Sequence, residues 1–393
     1  LAYEYKEKYS QLNDSIYSGE SLKQIADMQT KYETEKKEKE IQLLTREKEV
    51  KELQLDRNRI LITSISIGFI LVLIISFILY NRFRIKKKAN ILLTLQKNEI
   101  EQQKKEITDS IRYARRIQAA ILPPEEVITS IIPDHFILFK PKDIVSGDFY
   151  WATTINIQGS RYARPYVSTA LNTILVVAAA DCTGHGVPGA FMSMLGVVYL
   201  NEIVNRMDKL NPGEILDHLR TSVINSLRQT GKTGESQDGM DIALCVIDTG
   251  TREIQYAGAN NPLYIIPADN RATLATSTEV NDHIAQDTDG LFQIRADRMP
   301  IGIHRKVEKP FTNNILSLSS GDTLYIFSDG FYDQFGGPGP IKEKFKSKNF
   351  RNLLVTNRDK SMKEQCNILD RTFVEWKGDQ DQVDDVLIIG IRI

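Results

Sequence analysis

The longest apolar run in the chain covers residues 60–80 and contains no charged residue. At the rise of an α-helix, its 21 residues are long enough to cross a hydrocarbon core of about 30 Å. A buried helix of a soluble domain ordinarily keeps one polar face, which this run lacks. The pattern therefore predicts a single transmembrane helix at 60–80.

The charges that flank this run differ on its two sides. Five basic residues follow it within eight positions, whereas the eight residues before it hold two, Arg57 and Arg59. The five are Arg82, Arg84, Lys86, Lys87 and Lys88. Because short cytoplasmic loops carry an excess of Lys and Arg, we expect a single-pass protein of the cytoplasmic (inner) membrane. Its C-terminal part is expected to lie in the cytoplasm.

Residues 1–59 are rich in Glu, Lys, Gln and Leu, hold no proline and contain one glycine, Gly19. This composition predicts helix, with a turn near residues 13–20. The segment resembles the end of a tetratricopeptide (TPR) array that continues into a coiled coil, although one partial unit does not establish a repeat. A solvated spacer helix is the alternative.

After the apolar run, hydrophobic residues recur every seven positions, which is the spacing of the a position of a coiled coil. They are Leu93, Ile100, Ile107, Ala114 and Ile121, whereas the d positions Gln96, Gln103 and Ser110 are polar. A coiled coil with polar d positions packs weakly, which suits helices that change their packing. We therefore expect residues 81–122 to form a signalling linker that makes a homodimer, with a rigid spacer as the alternative. Pro123 and Pro124 end this helix.

From residue 123 to residue 393, short β-type apolar runs alternate with helical stretches, which predicts one sizeable α+β domain. Within it, the polar stretch 268–298 has no clear period and predicts an exposed insertion or flap. The chain is thus expected to have four parts: 1–59, 60–80, 81–122 and 123–393.

Aspartates stand at the ends of several apolar runs in this last part. Asp148 follows a glycine in SGDFYW, and Asp181 ends the run ILVVAAAD. Asp329 ends TLYIFSD, and Asp384 and Asp385 precede the final run, VLIIGIRI. A single Asp after a strand is usually part of an ordinary turn. Several strand ends can converge on one edge of a sheet, however, so we expect these carboxylates to lie together.

Carboxylates gathered in one place repel one another and raise their own pKa values unless cations bind them. Hard oxygen ligands favour Mg²⁺ or Mn²⁺ over zinc or copper. Two such ions activate a water for in-line attack on phosphorus and neutralise the phosphoryl oxygens. The predicted chemistry is therefore hydrolysis of a phosphate ester with two divalent cations as cofactors.

The motifs GDFYW, ADCTGHGVPGAF, YAGANNPLYII, SGDTLYIFSDGFYD and VDDVL occur in a familiar order and approximate spacing. The chain from about residue 115 onward resembles the SpoIIE/RsbU-like branch of the metal-dependent (PPM) serine/threonine phosphatases. The resemblance implies a layered α-β-β-α fold in which helices flank two packed sheets. It implies that the metal ligands are Asp148, Asp181, the carbonyl of Cys182, Asp329 and Asp384, the first two being catalytic.

The sequence departs from that family pattern at two places. Leu387 stands where Thr or Ser is usual, and Ala259-Asn260 replaces Gly-His before Asn-Pro. Neither position is an expected ligand, so the departures do not argue against activity. Of the two adjacent acids in the last motif, Asp384 is the preferred ligand and Asp385 the alternative.

Other polar residues near these motifs are candidates for direct roles. His185, between two glycines, is a candidate catalytic residue that donates a proton to the leaving alkoxide, with shaping of its loop as the alternative. Lys142 is a candidate substrate-binding cation, with a solvated lysine as the alternative. Asp238 and Asp241 are weaker candidates for a further metal contact.

Composition excludes several other classes of protein. The net charge is −1 and no basic, aromatic-laced segment occurs in the last domain, so we expect no nucleic-acid partner. Three cysteines without CxxC pairing exclude a disulfide framework and favour a reducing compartment. None of the five histidines lies in a phosphoacceptor context, which argues against a sensor kinase.

Proteins similar to this one dephosphorylate phosphoserine on an anti-sigma-factor antagonist in a partner-switching pathway. The resemblance therefore implies a phosphoprotein substrate of that kind. A catalytically silent receptor that uses the phosphatase fold only to bind a partner is the alternative. Loss of a ligand would favour the silent receptor, whereas all four acids are present.

Overall fold

The computed structural model describes residues 1–156, 173–232, 237–269, 275–276, 284–286, 290–304 and 309–393. The helices are α1 (Ala2–Ile121), α2 (Glu126–Thr129), α3 (Gly186–Arg206), α4 (Pro212–Ser226), α5 (Gly330–Asp333), α6 (Ser347–Thr356) and α7 (Met362–Lys377). The strands are β1 (His135–Lys140), β2 (Phe149–Asn156), β3 (Thr173–Cys182), β4 (Met240–Asp248), β5 (Glu253–Ala259), β6 (Leu263–Ile266), β7 (Ala275–Thr276), β8 (Ile284–Gln286), β9 (Phe292–Ile294), β10 (Asn314–Ser317), β11 (Thr323–Phe327), β12 (Phe335–Gly336), β13 (Glu343–Lys344) and β14 (Val386–Arg392).

The chain divides into two compact units, Leu1–Glu101 and Gln102–Ile393. The first unit is formed by the part of α1 up to Glu101, which continues without interruption through Gly19. The turn expected near residues 13–20 is therefore wrong. Glu, Lys, Gln and Leu on both sides favour helix, and one glycine costs only about 1 kcal/mol relative to alanine.

Among the described residues, two helices are long and apolar enough to cross a membrane by length and composition, but their burial differs. The apolar window of α1 has a mean hydropathy of 2.7, and none of it is buried. The window of α3 has a mean hydropathy of 1.4 and is half buried, as expected for a helix that packs on a core. Of the two, α1 is therefore the candidate span.

The second unit contains two six-stranded sheets that pack face to face. One has the strand order β1-β14-β11-β6-β9-β8 and the other β2-β3-β4-β5-β10-β7, with antiparallel pairing throughout these ladders. Alternate residues of β3, such as Leu175 and Val177, point into the shared core together with Leu387 and Ile389 of β14. Such alternation follows from the period of two along a strand.

Helices cover the outer faces of both sheets. The other residues of β3, such as Val176 and Ala178, pack under α3 and α4 with Leu200 and Leu219. On the opposite side, α6 and α7 cover the β14 sheet through Phe350, Phe373 and other apolar side chains. The predicted α+β fold, with its α-β-β-α layers, is confirmed.

The predicted flap differs from the structure at its C-terminal end. Leu291, Phe292 and Ile294 are buried, and β9 pairs with β6 inside the sheet. Residues 291–294 are thus part of the core rather than an exposed insertion, because a short strand with two inward side chains is enough to extend the sheet. Most of residues 268–289 lie outside the described residues.

Candidate functional site

The strand register brings the aspartate motifs to one edge of the sandwich, here called the acid edge (Asp148, Asp181, Asp329 and Asp384). β2 begins and β3 ends at this edge, because Phe149 pairs with Ala180. In the other sheet, β11 ends and β14 begins there, because Phe327 pairs with Ile388. The edge therefore collects one motif from each of four strand ends.

Asp148 is the most deeply buried member, with 2% of its surface exposed. The Ser328 hydroxyl donates a hydrogen bond to its Oδ2 at 2.5 Å. Burial raises the pKa of Asp148 well above its usual range, and the charges of Asp385 and Asp384 raise it further, against the opposing effect of the Ser328 hydrogen bond. The ionised form of Asp148 is therefore disfavoured, because too little positive charge lies nearby to stabilise it.

The pKa values of two further carboxylates are raised for the same reasons. Burial first, and then the charges of Asp148, Asp329 and other acids, raise the pKa of Asp181 to about 10. Burial and the charges of Asp333, Asp384 and Asp241 raise the pKa of Asp329 to about 6, opposed by Lys344. Members of the acid edge are among the charges that raise these pKa values, so the acid-edge carboxylates repel one another.

The adjacent pair Asp384 and Asp385 separates into two roles. Asp385 is 2% exposed and accepts hydrogen bonds from backbone amides on both oxygens: Lys142 N at 2.7 Å on Oδ1, and Gly147 N at 2.7 Å on Oδ2. Asp384 is partly exposed, and its charge raises the pKa values of Asp148, Asp181 and Asp329. Asp385 thus clamps the loop that carries Asp148, whereas Asp384 faces the other acids.

Close contact between backbones positions the loops of the acid edge. A Cβ on Gly147 would lie 2.5 Å from the carbonyl oxygen of Gly184, and one on Gly330 would lie 1.9 Å from that of Asp385. Any side chain at these positions would push the loops apart. The glycines of SGD and SDG therefore allow the four aspartates to approach.

Cys182 is the last residue of β3, and its carbonyl oxygen would lie 3.5 Å from a Cβ on Gly147. The carbonyl is thus in the same loop contact as the expected ligands. The thiol is 4% exposed, and burial raises its pKa well above the usual range, as do the charges of Asp181 and Asp148. A thiolate is disfavoured there, so the backbone is the relevant donor of this residue.

His185 lies at the start of α3, and its Nδ1 is 2.7 Å from Oδ2 of Asp143. Both side chains are about half exposed. Lys142 joins the site through its backbone amide, which donates to Asp385. The structure therefore places both candidates in the loops of the acid edge.

Sequence reasoning missed Ser328, which contacts these loops, and gave Asp241 only a weaker candidacy as a metal contact. Ser328 donates to Asp148 and accepts a hydrogen bond from Leu387 N at 3.0 Å, so it ties β14 to the acid. Its place directly before Asp329 in SDG was the available signal. Asp241 stands directly across from Asp181, and Asn260 donates to it at 2.8 Å.

Gln118 is the second missed residue and the one buried residue of α1. Its amide nitrogen donates to Ser146 O at 2.6 Å and to Ser193 Oγ at 2.8 Å, and Ser146 N donates to its Oε1 at 3.2 Å. Ser146 lies two residues before Asp148, and Ser193 lies on α3. A polar residue inside the apolar run IQAAIL was the signal.

The donor set of the acid edge fits divalent cations that prefer oxygen ligands. In the part of the chain that the structure describes, no group of three or more His, Cys, Asp or Glu side chains converges closely enough to hold an ion. The raised pKa values of Asp148, Asp181 and Asp329 are what bound cations would lower.

Comparison with known proteins supports one family. The family model described as Stage II sporulation protein E (SpoIIE) matches residues 172–393. The SiaA-PP2C domain of Pseudomonas aeruginosa is 28% identical with a TM-score of 0.57, over 74% of this chain and 98% of that one. No curated protein matches the chain.

Two further solved structures are more distant. The PP2C phosphatase domain with a fragment of the regulatory domain of SpoIIE from Bacillus subtilis is 17% identical, with a TM-score of 0.45, over 66% of this chain and 61% of that one. The RsbU and RsbW domains of Rv1364c from Mycobacterium tuberculosis are 17% identical, with a TM-score of 0.44, over 67% and 60%. Because both TM-scores are below 0.5, we base nothing on these two.

Proposed function

The chain belongs to the SpoIIE family and is a PPM-type protein phosphatase, and from this we propose that it is a membrane-tethered, metal-dependent enzyme acting on phosphoserine or phosphothreonine. The observation that carries the proposal is the acid edge. Four carboxylates from four strand ends share it, and the pKa values of three of them are raised by burial and by neighbouring acids. Such an arrangement is costly unless cations compensate it.

We propose that the residues that hold two Mn²⁺ or Mg²⁺ ions are Asp148, Asp181, Asp329, Asp384 and the carbonyl of Cys182. When bound, the ions supply charge neutralisation for the phosphoryl oxygens and activate a water for in-line attack. Asp385 is not a ligand in this proposal, because both of its oxygens accept backbone hydrogen bonds. It instead keeps Asp148 in place.

His185 is the proposed proton donor to the leaving serine or threonine oxygen. An Nδ1–H donated to Asp143 fixes the ring and leaves Nε2 for proton exchange, which is the arrangement that orients an imidazole. Lys142 is the proposed substrate-binding cation. Its backbone is already fixed by Asp385, so its ammonium group starts from a defined position beside the acid edge.

The proposed anchor is the apolar segment of α1 at 60–80, with the phosphatase domain, residues 123–393, on the cytoplasmic side. Residues 81–122 then serve as a linker, and a homodimer formed through it would control the enzyme. Gln118 supports this role, because it is a linker residue that binds Ser146, two residues from Asp148. The proposed substrate is a phosphoprotein similar to an anti-sigma-factor antagonist, by analogy with the family.

The test is phosphate release from a phosphoserine peptide by the full chain, purified in detergent. We expect release with Mn²⁺, none with EDTA, and a loss of at least about a hundredfold in Asp181→Asn, since a proposed metal ligand is replaced. The matched control is Asp134→Asn. Asp134 pairs with Arg392, and β14 places this pair at the other end of the sheet.

Two outcomes would contradict the proposal. Metal-independent release, or release that survives Asp181→Asn, would mean that the acid edge is not the site. A well-folded chain with bound Mn²⁺ but no release would favour the catalytically silent receptor.

A further inference from the structure

Next to the acid edge, the chain carries a strip of lysines, here called the lysine arm (residues 341–348, IKEKFKSK). Lys342, Lys344, Lys346 and Lys348 occupy every second position and are all exposed. Glu343 is the one acid among them. The arm is therefore strongly positive in a chain whose net charge is −1.

The base of the arm is rigidly anchored. The Phe345 ring packs edge-on against Trp376 at 5.1 Å and against Phe331 at 5.3 Å between ring centroids. Its backbone nitrogen donates to Gln334 O at 3.0 Å. Gln334 also accepts a hydrogen bond from Val383 N at 3.0 Å. Since Val383 precedes Asp384, the arm has a fixed position relative to the acid edge.

The arm also contacts α5, the helix that follows Asp329. Lys344 Nζ lies 2.8 Å from Oδ2 of Asp333, the last residue of α5. Lys344 is also the cation that opposes the raised pKa of Asp329. The positive strip thus begins within electrostatic range of the proposed reaction centre.

Most of the charge on the arm is available to a partner. Lys342 Nζ donates to the carbonyl oxygen of Gly337 at 2.8 Å, a contact that leaves its charge unneutralised. Lys346 pairs with Glu343 at 2.8 Å, but both side chains are more than 60% exposed, and such pairs are weak in water. Ile341, at the start of the arm, is 81% exposed and offers an apolar contact beside these charges.

We propose that the lysine arm is the docking surface for acidic residues that flank the phosphorylated side chain of the substrate protein. This inference rests on the proposed function and specifies the substrate class. The arm carries an excess of exposed positive charge beside the acid edge, so an acidic segment of a bound substrate is stabilised on this side of the site. An anionic membrane is a poorer occupant, because a flat surface over the arm would also cover the adjacent acid edge and exclude a protein substrate.

The experiment uses the full chain in detergent with Mn²⁺ and three substrates. Two are phosphoserine peptides that differ only in having four Glu or four Gln residues around the phosphoserine, and the third is p-nitrophenyl phosphate. The variant is Lys342→Glu/Lys348→Glu, which spares Lys344. The matched control is Lys360→Glu/Lys363→Glu. Lys360 O binds Arg392, at the other end of β14 from Asp384.

We expect kcat/KM of the wild type to be about tenfold higher for the Glu peptide than for the Gln peptide, mainly through KM, as two or three exposed ion pairs would give. The arm variant should lose this preference and keep its rate on p-nitrophenyl phosphate within about twofold. The preference should also fall as salt rises. The control variant should behave as the wild type.

Fluorescence anisotropy with labelled forms of the same peptides measures docking without turnover. A wild-type chain that binds the Glu peptide through the arm but hydrolyses nothing would contradict the proposed function and support the docking site. Equal binding and equal kcat/KM for both peptides would overturn the docking site. If the control variant Lys360→Glu/Lys363→Glu lost the preference for the Glu peptide to the same extent, that result would overturn the docking site too. Binding to phosphatidylserine vesicles that the arm variant loses, with peptide preference unchanged, would overturn it in favour of a membrane contact.

Discussion

Charged groups lie at both ends of β14, but their surroundings differ: at one end they have partners that compensate them, and at the other they are like charges that repel one another. At its C-terminal end, Arg392 pairs with Asp134 and donates to the carbonyl oxygens of Arg358 and Lys360 at 2.9 and 2.7 Å. At its N-terminal end, Asp384 joins carboxylates whose pKa values are raised by burial and by one another. The charge of Arg392 is therefore compensated by its partners, whereas the carboxylates at the other end need cations to compensate them.

This difference separates charge that stabilises the fold from charge that performs chemistry. By the rise of a strand, the two ends of the seven-residue β14 lie about 20 Å apart. Both are formed by the same antiparallel ladder with β1 and β11. The common scaffold allows changes at one end to serve as controls for changes at the other.

The largest expected effect is that of Asp148→Asn. We expect a loss of phosphate release of at least about a thousandfold, because a metal ligand is replaced. In EDTA, however, the variant should be more stable than the wild type, because a neutral amide replaces a carboxyl whose ionised form is disfavoured by burial and by neighbouring acids. Phosphate release and thermal unfolding in EDTA measure the two effects. A less stable variant in EDTA would show that this carboxylate is not under electrostatic strain.

Asp384→Asn and Asp385→Asn should separate binding from positioning. Asp384→Asn should raise the melting temperature in EDTA slightly, because its charge no longer opposes the other acids, and should remove the stabilisation that Mn²⁺ gives. Asp385→Asn should destabilise the domain by about 1–3 kcal/mol, because its amide would turn a donor toward a backbone N–H. Melting curves with and without Mn²⁺ distinguish them. If Asp385→Asn instead removed the stabilisation by Mn²⁺ and Asp384→Asn destabilised the domain in EDTA, Asp385 would be the ligand.

Gln118→Leu should have an intermediate effect. It removes the hydrogen bonds to Ser146 and Ser193 and leaves buried polar groups unsatisfied, at about 1–3 kcal/mol. We expect kcat to fall about tenfold while Mn²⁺ still binds, because the loop before Asp148 loses its support. The control is Gln102→Leu, at an exposed position of α1 that is neither an a nor a d position of the predicted heptad. An unchanged kcat would assign Gln118 a purely structural role.

Arg392→Ala should have the smallest effect on activity. The variant loses its bonds to two backbone carbonyls and to Asp134, so we expect a loss of about 1–2 kcal/mol in the free energy of unfolding. Activity of the folded protein should stay within about twofold. Urea unfolding and phosphate release at a temperature where the variant is folded measure this. A large loss of activity would mean that the two ends of β14 are coupled.

Local patterns of buried strands with acids at their ends predicted an α+β domain and the convergence of the aspartates, whereas the layered arrangement of the sheets was implied by the family resemblance. The sequence did not separate the roles of Asp384 and Asp385, since adjacent acids in one motif look alike. Only tertiary contacts show that Asp385 meets the amides of Lys142 and Gly147. The charged residues at 295–298 made the stretch look polar, so the short strand β9 just before them was not predicted. The weak heptad led to the prediction of a linker, and Gln118 was not singled out within it.

The central claim is that the acid edge holds two divalent cations, and equilibrium dialysis of the full chain against Mn²⁺ tests it most directly. The account predicts about two ions per wild-type chain, as in a two-metal site, with a clear reduction in Asp181→Asn and none in Asp134→Asn. Absence of bound Mn²⁺ from the folded wild type, or the same stoichiometry in Asp181→Asn, would contradict it.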